Sequence, residues 1–463
     1  MTKAVRSAVP IVVAVAGFFA LLLWFLTSGR EGLIERRPGA DRSGAADETD
    51  DSGAWQGKLI KSNGVPADLT GSWPQFRGPR RDGICTDPVP LNRSWPAEGP
   101  KALWKLNLGE GYAGAAIWKG RVLVLDYDMT NRADALRCLS LADGKEIWRY
   151  TYPVKVKRNH GMSRTVPTIT ENYLISLGPK CNVLCLDPLT GDFKWQINLV
   201  KDFGAEVPEW YAGQCPLVEG DRLILGVGGS DALLMAVDGA TGKVIWKTPN
   251  PNHWRMTHSS VVPMEFKGRR MYVYCASGGV VAVSATDGAI LWEYPDWRIS
   301  IANIPSPIVA GDGRIFFTGG YDAGSLMLQV TETGGKLTVA PVFRLTAKLF
   351  GAAQQTPLLY HDHLFGVRAD GQLVCLDLNG KVTWQSGSTH KFGYGPFLIA
   401  QELLFVMDDS GLLTLAEISA DGYKQLAQAK VLQGPDAWGP MALADGRLIL
   451  RDMNQMICLE VGR

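Results

Sequence analysis

The chain has 463 residues, 46% of them hydrophobic and 20% charged, with 47 Lys+Arg against 46 Asp+Glu and a formal net charge of +1. No basic excess is available to neutralise a run of phosphates, so nucleic acid is excluded as a partner held by bulk charge, and the hydrophobic fraction excludes a mainly disordered chain. The 15 Trp, 52 Gly and 26 Pro point instead to many short elements punctuated by turns.

The first element is an uncharged run from Val9 to Leu26, preceded by Lys3 and Arg6 and followed by Arg30. It is just long enough to cross a hydrocarbon core of about 30 Å as a helix. Residues 1–29 therefore read as a signal anchor with one transmembrane helix. A cleavable secretion signal is the alternative, but its apolar core is usually shorter, and Thr27-Ser28-Gly29 is a poor cleavage site. Lys3 and Arg6 on one side and Arg30, Arg36 and Arg37 on the other leave orientation open on charge alone. The adopted reading places the chain in the cell membrane with its bulk on the periplasmic, extracytoplasmic side. Because the first cysteine is Cys85, a lipid-attached N-terminus is excluded.

Residues 30–70 are polar and show no apolar period, as expected of a flexible tether. Residues 71–100 form a leader carrying Trp73-Pro74-Gln75-Phe76-Arg77-Gly78-Pro79 and Asp82-Gly83. Its apolar anchors, interleaved with turn residues, are expected to pack on the following domain, over the mouth of any channel it encloses.

From about residue 112 one pattern recurs: Pro, a turn, two β-rich runs, a Gly turn, then Trp. The tryptophans stand at 104, 148, 195, 246, 292 and 384, spaced by 44, 47, 51, 46 and 92 residues, and Phe343 divides the last gap into 51 and 41. A period near 45 residues with four short strands, A to D, is one propeller blade. Strand-A starts at Ala115, Pro167, Pro216, Pro263, Pro307, Pro357, Pro396 and Pro440 give eight blades. The last copy stops before its fourth strand, and Lys101 to Leu108 has the missing one. Residues 101–463 are thus expected to form a single all-β, eight-bladed β-propeller, closed by its N-terminal strand.

The repeated Leu-Asp-x-x-Thr-Gly-x-x-x-Trp phrase resembles the pyrroloquinoline quinone (PQQ) repeat of the quinoprotein family, and the chain is similar to its non-catalytic BamB-type members. The resemblance implies that Gly144 and Trp148, Gly191 and Trp195, Gly242 and Trp246, Gly288 and Trp292, and Gly380 and Trp384 dock neighbouring blades. It also implies, by analogy, a role in envelope or outer-membrane protein assembly. Quinoprotein dehydrogenases of the family hold PQQ with a vicinal disulfide, a stacking Trp, a calcium cluster and a catalytic Asp. No adjacent Cys pair occurs here, and the long insertions that complete those sites are missing. Neither catalysis nor a cofactor is therefore expected; PQQ with calcium belongs only to the alternative reading, a PQQ-dependent dehydrogenase.

Cys138, Cys185, Cys375 and Cys458 share one strand-C position in different blades, too far apart for disulfides, whereas Cys181 and Cys185 flank a turn and could pair. His361-Asp362-His363 falls in an A–B turn and reads as surface decoration rather than a metal pair. No metal site is expected.

In a propeller the D–A connections and the B–C turns share one face. Here that face has the aromatic and basic composition of recognition surfaces. Its candidate residues are His160, Arg164, Trp210, Gln214, His253, Trp254, Arg255, His258, Trp297, Arg298, Gln355, Tyr394 and Trp438. A broad rim suits a protein or peptide partner; a small ligand, carbohydrate or peptide in the channel mouth is the alternative.

Overall fold

The computed structural model describes residues 17–23 and 57–463. Residues 17–23 are helical; the rest of the expected anchor, and the tether up to residue 56, lie outside the described residues. Among the described residues no helix is long and apolar enough to cross a membrane. Contacts divide the chain into Met1–Ala54 and Trp55–Arg463.

The second unit is an eight-bladed propeller. Strand A of each blade begins within one or two residues of the expected start, at Ala116, Thr168, Leu217, Val262, Ile308, Leu358, Phe397 and Ala442. The eighth blade takes Lys101–Asn107 as its outer strand, paired antiparallel with Gln455–Glu460. Closure removes the exposed sheet edges that an open array would carry. Hydrophobic clusters lie between adjacent blades, as in the group joining Ile175 and Leu177 to Leu223 and Leu225.

The repeat phrase works by pairing. In every blade with a docking tryptophan, that residue stands directly opposite a small residue of strand C: Cys138↔Trp148, Cys185↔Trp195, Ala236↔Trp246, Ala282↔Trp292, Cys375↔Trp384 and Cys458↔Trp104. A β-bulge beside this pair recurs in each and turns the indole toward the next blade. There the ring lies under a C–D turn glycine: a Cβ on Gly144, Gly191 or Gly242 would come within 2.8 Å of Trp104, Trp148 or Trp195. The indole N–H groups reach across as well, Trp104 to Leu141 O at 3.1 Å, Trp195 to Gly239 O at 2.8 Å and Trp384 to Ser419 O at 2.9 Å. Gly380 sits in the same way on Phe343.

A second inter-blade relay runs around the channel. Val166 N donates to Cys215 Sγ, Cys215 N to Ser260 Oγ, Ser260 N to Ser306 Oγ and Ser306 N to Thr356 Oγ1, at 3.3, 2.9, 3.1 and 2.9 Å. This relay corrects one register. Ser260-Val261 aligns with Cys215-Pro216, so Val261 holds the proline position of blade 4, and Pro263 falls inside strand A (Val262–Phe266).

Two N-terminal segments differ from expectation. Lys58–Lys61, read as tether, is a fifth strand on the outer edge of blade 1, pairing with Trp148 to Thr151. The leader does not merely cover a channel mouth; it enters the channel and bonds to the free inner edges of strands A. Trp73 exchanges two 2.9 Å backbone bonds with Ile117 of blade 1, and Pro74 O accepts from Ile169 of blade 2 at 2.8 Å. Ile84–Cys85 pairs parallel with Ile399 and Ala400 of blade 7. Arg77 donates to Thr356 O and Pro357 O of blade 6, at 2.7 and 3.0 Å, and to Arg81 O and Asp82 O within the leader, both at 3.1 Å. Inner strands carry unpaired backbone groups, and the leader supplies their partners.

Candidate functional site

On the D–A face the connections bond to the B–C turns and to one another. Arg164 donates to Trp210 O in the next connection and to Asn159 O and His160 O in its own, the latter two at 3.0 and 2.9 Å. Its guanidinium lies over the Tyr112 ring, 5.2 Å from the centroid. Tyr112 stacks on Trp438 at 5.1 Å, and Trp438 meets Tyr394 edge-on at 5.6 Å. Gln355 Nε2 donates to both Tyr394 O and Trp438 O at 3.2 Å. At the other end the Trp210 and His258 rings lie 6.4 Å apart. Six expected residues, His258, Trp210, Arg164, Trp438, Tyr394 and Gln355, thereby form one arc along seven consecutive connections, with Tyr112 as the link between its halves.

The electrostatics of the arc are those of a fixed surface. Burial lowers the Arg164 pKa to about 10, and its donors are taken by carbonyls. His258 is pulled down to about 4, first by burial and then by the Arg164 charge, so its ring is neutral near pH 7. The Tyr112 hydroxyl is held protonated by burial and by Asp436, to which it donates at 3.2 Å. Asp409 Oδ1 accepts from Trp438 Nε1 and from Tyr394 N, both at 2.7 Å, and so fixes the tip of the arc.

Other expected rim residues have structural environments. Trp297 is 1% exposed, packed 6.1 Å from Phe317, and Trp254 is buried against Gly278. Both fill gaps between blades, because a large apolar ring at a loop base loses more water-facing area inside than outside. Gln214 is fully buried and exchanges two bonds with the Gly226 backbone at 2.9 and 2.7 Å. His160, His253, Arg255 and Arg298 have exposed side chains, and of the four only His160 touches the arc, through its backbone carbonyl. Arg255 pairs with Glu206 at 3.5 Å, and Arg298 donates to Pro295 O at 2.8 Å.

Sequence reasoning missed Tyr112 and three exposed apolar side chains of the same face. Ile301, Tyr321 and Leu349 are 53%, 49% and 49% exposed, on the B–C turn of blade 5 and the connections flanking it, and the expected Tyr394 on the next connection is 37% exposed. Tyr321 and Asp322 both adopt positive φ, +55° and +62°, which holds the tyrosine at the tip of its turn. Aligning Ala113-Gly114-Ala115 with Trp438-Gly439-Pro440 would have marked Tyr112 as a connection residue.

Among the described residues no three of His, Cys, Asp and Glu gather where they could hold a metal ion. All eight cysteines are buried and unpaired, Cys181 and Cys185 included. Trp73 and Gln75 of the leader are buried in the channel.

The BamB of Shewanella oneidensis, an outer membrane protein assembly factor, is 24% identical over 261 residues, covering 53% of this chain and 62% of that protein. The quinoprotein alcohol dehydrogenase PedH of Pseudomonas putida is 22% identical over 307 residues, 62% of this chain and 49% of the enzyme. The chain thus spans less than two thirds of either relative. The crystal structure of BamB from Moraxella catarrhalis superposes with a TM-score of 0.54 at 13% identity, over 78% of this chain and 99% of that one, a likeness of fold. The family model described as outer membrane protein assembly factor BamB matches residues 96–196 and 132–386, more than half of the chain. The chain belongs to this BamB-like family of PQQ-repeat β-propellers.

Proposed function

We propose that this protein is an exported, membrane-anchored propeller whose D–A face binds a protein or peptide partner without catalysis. The observation that carries the reading is the exposure of Ile301, Tyr321, Leu349 and Tyr394 on loops of the face that also holds the Tyr112–Trp438 arc. Aromatic anchors on a fixed base lose little entropy on binding, which favours a protein interface over a solvated loop surface. The Shewanella relative is named as an assembly factor, and an analogous role in envelope or outer-membrane protein assembly is part of this proposal. Anchoring through residues 1–29 and an extracytoplasmic propeller are the reading of the N-terminal sequence.

Cross-linking in cells, with wild type and a Tyr321→Ala/Tyr394→Ala variant compared, tests the reading. One stable protein partner recovered with wild type and lost with the variant is the expected outcome; equal recovery would overturn the face. The competing dehydrogenase reading predicts alcohol- or sugar-dependent dye reduction once PQQ and Ca²⁺ are added to the purified protein. Such turnover would remove the non-catalytic assignment.

A further inference from the structure

The leader carries two arginines into the channel, and only one has most of its guanidinium donors matched. Arg77 and Arg81 both have positive φ, +63° and +60°, in a turn closed by Gly78 and Gly83. Arg77 places four of its five guanidinium donors on carbonyls. The Arg81 guanidinium makes a single hydrogen bond among the described residues, from Nη2 to Val218 O at 2.5 Å. The carboxylate that attracts it, Glu219, is taken by Arg270 and by Tyr272, whose hydroxyl donates at 2.9 Å.

Arg81 borders a small cleft between the leader and the strand-A entries of blades 3 to 5, where Arg77, Ser260 and Ser306 interrupt an otherwise apolar wall. Both serine oxygens already accept a backbone N–H, so each hydroxyl proton is available to a further acceptor. Glu219 is shared between Arg270 and the part-buried Arg81, so an anion in the cleft gains Coulomb attraction from the Arg81 guanidinium that a water does not. The free space fits a group about the size of one or two waters.

We propose that this cleft is a binding site for a small monovalent anion, of chloride or formate size, held by the Arg81 guanidinium and the Ser260 and Ser306 hydroxyls. The anion completes the contact between the leader and blades 3 to 5, on the side of the channel away from the strand pairing at blades 1 and 7.

Two measurements on the full chain test this. A crystal soaked in sodium bromide should show an anomalous peak within hydrogen-bond reach of Arg81 and at least one of the two serines. In solution, chloride or bromide should raise the melting temperature by roughly 2 °C or more over gluconate at equal ionic strength. Arg81→Gln should lose that increment, and Arg81→Lys should keep part of it. No bromide at Arg81, or an anion-dependent rise that persists unchanged in Arg81→Gln, would overturn the site. Should Arg81→Gln not fold, the bromide peak and its loss in Ser306→Ala decide the matter.

Discussion

Cys138 stands directly across the sheet from Trp148, and the same small-to-large pairing recurs at Cys185, Cys375 and Cys458. Where the tryptophan is replaced, its partner grows: Phe343 faces Met327, and Ala427 faces Leu415. The cysteines are thus volume spacers for the docking rings, equivalent to Ala236 and Ala282 of blades 3 and 4. Replacing Cys138 or Cys185 by Ala should change stability by under about 1.5 kcal/mol, whereas Leu should cost about 1–3 kcal/mol by overpacking. Urea denaturation midpoints of the single variants check both numbers.

The thiols also fix a pH dependence. Burial pushes Cys138, Cys185 and Cys458 up to about 12, from an ordinary value of 9.0. Unfolded thiols ionise as pH passes about 9 while the folded ones stay protonated. Their contribution to stability is therefore complete below pH 9 and falls away as pH rises toward 12. Native protein should resist maleimide labelling at pH 8 and label fully in denaturant. Rapid labelling of the folded chain would contradict the burial.

Gly242 and Gly422 both lie in C–D turns, but their surroundings differ. A Cβ on Gly242 would lie 2.8 Å from Trp195, and its φ is +72°, while Gly422 has nothing within 4 Å. Gly242→Ala should cost about 1–3 kcal/mol from the clash and backbone strain combined, and Gly422→Ala at most about 0.5 kcal/mol. Chemical denaturation of the pair provides an internal control; equal effects would mean that the glycine does not dock the ring.

The blade count and ring closure were legible because a Trp–Gly contact repeated at a fixed period leaves its spacing in the chain. The leader's destination was not. Trp73 and Phe76 announce burial, but their place depends on backbone bonds to remote strands, as between Arg77 and Thr356, 279 residues apart. Composition also could not separate Trp297, which fills a gap, from Trp438, which stacks on the rim, since both sit in the same kind of loop. Tyr321 went unnoticed because a lone tyrosine in a B–C turn gives no pattern; only its turn geometry exposes it.

Arg77 ties the leader to blade 6 with a largely buried guanidinium, whose pKa desolvation lowers to about 10. Arg77→Met removes the charge but strands the Thr356 and Pro357 carbonyls. The expected loss is about 3–5 kcal/mol. Limited proteolysis should then cut within residues 71–100 well before the blades. Unchanged protection of the leader would show that strand pairing at Ile84–Cys85 suffices to hold it.

Trp297 and Tyr321 separate stability from recognition on one face. Trp297→Ala empties a buried site against Phe317 and should cost about 3–5 kcal/mol, so any loss of partner in that variant would reflect a weakened fold. Tyr321→Ala removes a half-exposed ring and should leave the urea midpoint within about 0.5 kcal/mol of wild type. If the ring anchors a partner, the same variant should weaken capture by about 30-fold, the equivalent of roughly 2 kcal/mol at an interface hot spot. Quantitative cross-link recovery and denaturation on both variants distinguish the two roles. A Tyr321→Ala protein that captures its partner at the wild-type level would move the binding surface off blade 5.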